Sequence, residues 1–372
     1  MKFTIEKNIM LENLTNVVKA ISTKNIIPIL NGVKFELNDE GLFLTASDSE
    51  LTIRSFIPTE SITKVEEKGS IVIQSKFILD IIRKMPSDEI NFELMDGFKI
   101  KISSLNSQYD LNCLDSKEYP SLKLEEVKKP IELKGDIFKS IISQTAFAIS
   151  TQELRPLLTG LNFKITGDVL ECIATDSYRL AKKNIKLDVP SEEDVNIVIP
   201  GKNIIELDKI IMDDEVVELH VFSNKVLFKY KNYMFQTNLL SGTYPNTSNL
   251  IPNDFAIIVT AKLDDYFSAI DRAALLTQSK DKNIVKMRIK NSEMIINSFA
   301  SEIGKVEEKL DIETSKDANI DISFSAKYML DALKTMKDEE ILILLNGEVK
   351  PIVIKSLKDE SLIQLILPIK TY

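Results

Sequence analysis

Histidine and cysteine are nearly missing from this chain, which has one histidine and two cysteines in 372 residues. That scarcity removes whole classes of chemistry. A Ser-His-Asp or Cys-His device has only His220 to build on, and His220 continues a strand pattern in VELHVF, as a strand-face residue rather than a general base. Cys113 and Cys172 lie in alternating apolar segments with neither a second cysteine nor a histidine at metal-ligand spacing, so buried structural thiols are expected. No glycine-rich phosphate cradle follows a strand. PGK at Pro200 to Lys202 lacks the first glycine and the Ser/Thr of a P-loop, and reads as a helix-start turn. No metal or cofactor is implied. Long apolar runs are absent too, because Gln364 interrupts the nearest one, Leu362 to Ile369, so no membrane span is expected. The opening MKFTIEKNIM puts Glu6 and Lys7 where a secretory signal needs apolar residues, and is expected to be the first strand of a cytoplasmic protein.

What is present is a globular composition: 44% hydrophobic and 28% charged residues, enough to bury a sizeable core. The length favours two or three domains over one. A formal charge of −9 argues against a surface that is nucleic-acid footprint throughout, while leaving room for one basic face.

Internal repetition decides the organisation. An offset of 128 residues carries PILNGVKF, Pro28 to Phe35, onto PLLTGLNF, Pro156 to Phe163, and carries Ala46, Asp48 and Ser49 onto Ala174, Asp176 and Ser177. A second block occurs three times: IVIQSKFILDIIRKM from Ile71, IVIPGKNIIELDKII from Ile197 and ISFSAKYMLDALKTM from Ile322. Each predicts a short strand, a turn and a helix with apolar residues at helical spacing, such as Met329, Leu330, Leu333 and Met336. A lysine recurs at the same point, Lys76, Lys202 and Lys327, with an acid four residues later at Asp80, Glu206 and Asp331, the spacing of a helix-surface pair. An earlier helical stripe is also repeated, with Ile9, Met10, Leu14, Val17, Val18 and Ile21 answered by Ile137, Phe138, Ile141, Ile142 and Ile149, and by Leu263, Phe267, Ile270 and Ala274. Alternating segments such as GLFLTAS, FKIKISS and VLFKYKNY run between the helices. The fold class is therefore α+β, with three similar domains of antiparallel sheet carrying two helices each. Boundaries fall near Glu125 to Pro130 and Asn246 to Asp254, giving domains 1–126, 127–250 and 251–372.

Within the second copy, TDSYR from Thr175 to Arg179 has the residue types of a catalytic site. A serine nucleophile needs a base aimed at it, whereas adjacent strand residues point to opposite faces. The repeat supplies a turn instead, since Asp48 and Ser49 hold the equivalent place in the first copy. Tyr178 and Arg179 have no counterparts there, where Glu50 and Leu51 stand.

A triplicated unit with ATDSYRLA closing a hairpin in its second copy, together with MKFTI, PILNG, TYP and LPIKTY, resembles the β subunit of bacterial DNA polymerase III, the sliding-clamp family, over essentially the whole chain. The resemblance implies a non-enzymatic processivity factor with the DNA clamp fold. It implies a head-to-tail homodimer ring with twelve helices around a hole that passes double-stranded DNA without reading its sequence. The implied partners are the replicative polymerase subunit, the clamp loader, and repair polymerases and other proteins carrying short motifs. The DNA-facing residues it implies are Lys24, Lys76, Arg83, Gln152, Arg155, Lys202 and Lys327. By the same resemblance a peptide pocket is expected from Leu158, Thr175, Tyr178, Arg179, Leu180, Pro245, Asn249, Leu250, Leu365, Ile366, Leu367, Pro368 and Ile369. Two buried apolar anchors there are worth roughly 3 to 6 kcal/mol before association costs, which sets micromolar or weaker affinity. The dimer contact is expected to set Tyr109 and Leu111 against Leu275 and Leu276. Tyr178 stands where the family more often has histidine, and Asn249 and Lys370 where it often has arginine. Two rival readings remain from the residues alone: a hydrolase with Ser177 as nucleophile, and a monomeric repeat scaffold that binds peptides without closing into a ring.

Overall fold

The computed structural model describes residues 1–22, 25–213, 215–277, 283–301 and 303–370. Among the described residues there are six α-helices, α1 (Lys7–Val17), α2 (Ser75–Lys84), α3 (Gly135–Thr145), α4 (Gly201–Asp208), α5 (Leu263–Ala274) and α6 (Ala326–Leu333). They are two per sequence repeat, and each follows directly on a strand. The strands pair antiparallel throughout, as the alternating pattern requires. No helix among the described residues is long and apolar enough to cross a membrane.

The chain forms two compact units, Met1–Asp136 with Glu206–Leu239, and Ile137–Ile205 with Leu240–Tyr372. The division runs inside the central repeat because its strands are shared out between the sheets of its neighbours. In the first unit, the closing strand of the second repeat, Tyr233–Asn238, pairs with Leu51–Pro58 of the first repeat, Thr237 opposite Leu51 and Tyr233 opposite Ser55, completing an eight-stranded sheet. In the second unit, the closing strand of the third repeat, Leu362–Ile366, pairs with Arg179–Lys186 of the second, Ile366 opposite Arg179, within a nine-stranded sheet. The same join is thus made twice.

The repeated PILNG and PLLTG motifs have one structural reason. Pro28 and Pro156 each open a short 3-10 turn, where a missing N–H costs nothing, and a glycine then starts the strand. A Cβ on Gly32 would lie 2.9 Å from the Ile73 carbonyl oxygen, and one on Gly160 would lie 2.8 Å from that of Ile199, so only glycine lets the neighbouring strand approach.

Each helix buries the stripe read from the sequence, narrowed at its ends. Met10, Leu14 and Val17 of α1 are buried, while Ile9, Val18 and Ile21 are half-exposed. Around α5 and α6 the residues Tyr266, Ile270, Met329 and Leu333 pack on Val285, Met287 and Phe324. In the first unit, the Phe3 and Phe92 rings stack with centroids 4.8 Å apart. Both thiols are buried, and desolvation pushes Cys113 up to about 11 and Cys172 well above its ordinary range, so neither is a thiolate nucleophile at neutral pH.

The two DS turns are the same object. Ser49 and Ser177 both have φ of 78°, and in each the preceding aspartate closes the turn with its side chain. Asp48 Oδ1 accepts from the Glu50 and Leu51 N–H groups at 3.1 and 2.7 Å, and Asp176 Oδ1 accepts from those of Tyr178 and Arg179 at 2.9 and 3.0 Å. Asp176 carries one further load, an ion pair with Arg179 at 2.9 Å. Asp48→Ala is accordingly expected to cost about 1–2 kcal/mol and Asp176→Ala about 3–4 kcal/mol, read from urea unfolding midpoints. Equal losses in the two variants would contradict the extra role given to Asp176.

Candidate functional site

The site is built where the third repeat's closing strand meets the second repeat's hairpin. Asp176 closes that hairpin as described, and Thr175 Oγ1 donates to the Arg179 carbonyl at 2.6 Å while accepting the Ser177 N–H at 3.2 Å. The buried phenol of Tyr244, from the TYP segment, accepts the Thr175 N–H at 3.1 Å, and burial pushes that phenol far above its ordinary pKa. The turn's backbone is held by the side chains of Thr175, Asp176 and Tyr244. Its tip therefore presents Tyr178, 59% exposed, as a fixed surface feature.

Beside Tyr178 lies a groove of about 220 Å³ lined by Ser150, Gln152, Leu154, Arg155 and Leu158 on one side and by Asp176 and Ser177 on the other. Leu158 ties it to an apolar cluster. Leu158, Ile173, Leu180, Val198, Tyr244 and Leu365 form one buried cluster with Leu344 and Val353, and Leu367 packs partly exposed against it. The chain after the last strand runs along this edge, with the Leu367 N–H donating to the Tyr178 carbonyl at 2.8 Å and the Ile369 N–H to the Ser323 carbonyl at 2.7 Å. Pro245, Asn249 and Leu250 are exposed, and Pro368 and Ile369 half-exposed.

Several expected pocket residues do something other than line a surface. Leu180 and Leu365, each 2% exposed, are buried in that cluster and do not line the groove. Ile366 points the other way, into the third repeat's core, because alternate strand residues face opposite sides of the sheet. Thr175 is spent on the turn. Arg179 is a buttress rather than a polar edge: its Nε pairs with Asp176, its Nη1 meets Asp331 Oδ2 of α6 at 2.7 Å, and its guanidinium lies 4.4 Å from the Tyr328 ring centroid and 5.3 Å from that of Phe147. Sequence reading gave Asp331 to Lys327 instead and missed Tyr328 and Phe147, because distant chain positions carry no signal of this cluster.

Ser177 is not set up as a nucleophile. Ser177 Oγ accepts from the Arg155 guanidinium at 3.0 Å, and the neighbouring Asp176 carboxylate is occupied by backbone N–H groups and Arg179, so among the described residues no base addresses the hydroxyl. His220, in the other unit, is buried on its strand, with Nδ1 accepting the Val127 N–H at 3.0 Å and Nε2 3.2 Å from Glu218. Glu126, Glu218 and His220 bring ligand atoms within 4.8 Å of one another, yet the Nδ1 contact places the ring proton on Nε2, leaving no free lone pair for a metal.

The residues expected to face DNA fall into two groups. Lys76, Lys202 and Lys327 are exposed at the starts of α2, α4 and α6. The expected lysine–acid pairs do not form, because each acid is taken by another cation: Asp80 by Arg83 at 3.0 Å, Glu206 by Lys209 at 2.6 Å and Asp331 by Arg179. Lysine before acid is the weaker order on a helix, and the three lysines make no ion pair among the described residues. Gln152 and Arg155, by contrast, sit on the rim of the groove. Lys24 lies outside the described residues. Of the expected dimer residues, Tyr109 and Leu275 are exposed, at 42% and 63%, while Leu111 and Leu276 are half-exposed.

Tyr178→Ala is expected to leave the unfolding midpoint within about 0.5 kcal/mol of the parent, whereas Leu180→Ala costs about 2–4 kcal/mol, as measured by urea unfolding. A large loss for Tyr178→Ala would mean that it is packing, not presentation.

Comparison with known proteins agrees along the whole length. Models of the DNA polymerase III beta subunit match in order, its N-terminal domain over residues 1–123, its central domain over 132–246 and its C-terminal domain over 248–370. The beta sliding clamp of Bacillus subtilis is 42% identical over 378 residues and that of Staphylococcus epidermidis 39% over 377, with 100% of each chain covered. Among solved structures, the DNA polymerase sliding clamp of Bacillus subtilis superposes with a TM-score of 0.97 at 41% identity, and the DNA polymerase III beta chain of Streptococcus pneumoniae with 0.95 at 34%, again over 100% of both chains. With three domain models matched in sequence and the same fold over its full length, the chain belongs to the DNA polymerase III beta subunit family, the sliding clamps.

Proposed function

We propose that the protein acts as a non-catalytic processivity factor in DNA replication, a homodimeric ring that holds the replicative polymerase on duplex DNA by topology. Its three domains are taken as 1–126, 127–250 and 251–372, and it works in the cytoplasm. The observation that carries the ring is the twice-made join. By that rule, the first repeat's closing strand, Ser107–Asn112, needs a strand equivalent to Leu51–Pro58 and Arg179–Lys186, and the third repeat's equivalent is Gly304–Asp311. Both are terminal strands of their own sheets, with one edge unpaired among the described residues. Long unpaired edges are an association liability unless a partner covers them.

Carrying the first join's register across sets Tyr109 opposite Val306, Asp110 opposite Lys305 and Leu111 opposite Gly304 of a second copy. Apolar meets apolar and acid meets base. The contact is head-to-tail, and two copies close it into six repeats and twelve helices. Leu275 and Leu276 follow α5 and are assigned to the same contact. The repeated lysines, without an ion pair among the described residues, are assigned with Lys24 and Arg83 to the DNA-facing side, where cations neutralise phosphates without reading bases. The groove at Tyr178 is assigned to short peptide motifs of the polymerase, the clamp loader and repair proteins, with Gln152 and Arg155 serving either the groove or DNA.

Asp110→Lys or Lys305→Asp alone is expected to weaken dimerisation about tenfold by sedimentation equilibrium, since each ring holds the pair twice, and the double swap to recover most of it. Retention on nicked circular DNA should follow the same order and vanish on linearisation. Single reversals without effect on the dimer, or retention indifferent to linearisation, would refute the ring.

Deleting Leu367 to Tyr372 removes the segment bonded to the Tyr178 carbonyl. It should abolish binding of a polymerase-derived motif peptide by fluorescence anisotropy while the dimer persists, and unchanged affinity would move the peptide site elsewhere.

A further inference from the structure

A second cavity, about 210 Å³, lies in the first unit, with Lys34, Thr45 and Arg54 on one wall and Tyr119 to Leu122 on the other. Arg54 is half-buried, and its Nε donates to Thr45 Oγ1 at 3.1 Å. Its two terminal amino groups meet no carboxylate, and Arg54 makes no ion pair among the described residues. The acid that acts on it through space, Glu36, is held by Lys34 at 2.6 Å. Burial disfavours the charged guanidinium and lowers its pKa.

The second repeat shows what is missing. The 128-residue offset carries Arg54 onto Lys182 and Thr45 onto Ile173, and the pairs Thr45–Arg54 and Ile173–Lys182 are directly opposed across their hairpins. Lys182 is neutralised by Glu171 on the adjacent strand. The position equivalent to Glu171 is Phe43, whose ring packs on Phe56 at 4.7 Å. The first repeat keeps the cation and has lost its acid, and a partly desolvated guanidinium without a counter-charge is costly.

We propose that this cavity binds a carboxylate supplied from outside the chain, held end-on by the two terminal amino groups of Arg54, with the Thr45 and Ser121 hydroxyls beside it. A monoanion matches the one uncompensated positive charge, since Lys34 is already neutralised, and a dianionic phosphate would in addition face Glu36. The carboxylate is either a small free acid or the acidic residue of a peptide.

The test follows the Nε–H resonances of the six arginines in the full-length protein. Sodium acetate is titrated against sodium chloride at equal ionic strength, followed by an acetylated Gly-Gly-Glu peptide. The Arg54 resonance shifts saturably with acetate and not with chloride. Phe43→Glu, which places the second repeat's carboxylate within reach of Arg54, weakens acetate binding about tenfold. Arg54→Gln loses the acetate-specific rise in thermal midpoint. Saturation by the peptide at lower concentration than acetate assigns the site to acidic peptides, and equal or weaker binding assigns it to small free acids. A shift that does not saturate, one unchanged in folded Phe43→Glu protein, or an acetate effect retained in Arg54→Gln would overturn the proposal.

Discussion

Backbone pairing between one repeat's closing strand and the hairpin of the repeat before it is the constraint on which the rest depends. A strand edge in water leaves its N–H and C=O groups open to any other chain, and pairing it with a neighbouring repeat satisfies them without relying on side-chain identity. The pairing runs in register through five residue pairs at each join. Three consequences follow. The central repeat is divided between two units, Leu365 is set opposite Leu180, and the first and third repeats each retain an edge that is unpaired among the described residues.

The hairpin at the second join shows how one backbone turn serves two purposes. In the first repeat, Asp48 closes the turn without an ion pair among the described residues. In the second, the same turn carries Arg179, whose charge is balanced by Asp176 and Asp331 and whose flat face rests on Tyr328 and Phe147. That cluster fixes the hairpin tip against α6, so Tyr178 is offered to solvent from a rigid base. A recognition surface benefits from such preorganisation because less motion is lost on binding.

Charge on the helices follows a similar division of labour. The acids of the repeated block are taken by Arg83 and Lys209 nearby and by Arg179 from another repeat, which leaves the recurrent lysines without an ion pair among the described residues. An ammonium without a partner keeps its reach toward a phosphate backbone. The acids that would have cancelled it are doing structural work elsewhere, most clearly Asp331.

Much of this protein was legible in the amino-acid order because it depends on local pattern. The 3.6-residue stripes around Met10, Ile270 and Met329 specify helices, alternation specifies strands, the spacing of PILNG and PLLTG specifies a turn and a close strand approach, and repetition specifies three units. The equivalence of Asp48 with Asp176 was also readable, since a turn closed by its own side chain involves only neighbours. Other features came only from the tertiary structure, because they join residues far apart in the chain. Nothing near Arg179 announces Asp331 or Phe147. The i, i+4 spacing of Lys327 and Asp331 suggested a pair, which a more rigid guanidinium from another repeat outcompetes. Ile366 and Leu365, adjacent and equally apolar, go to opposite faces of a sheet, so only the pairing register decides which one joins the cluster around Leu158 and Leu180. Sequence determined the elements and their number, and tertiary packing decided which side chains remained free to act, because that depends on which distant partners reach them first.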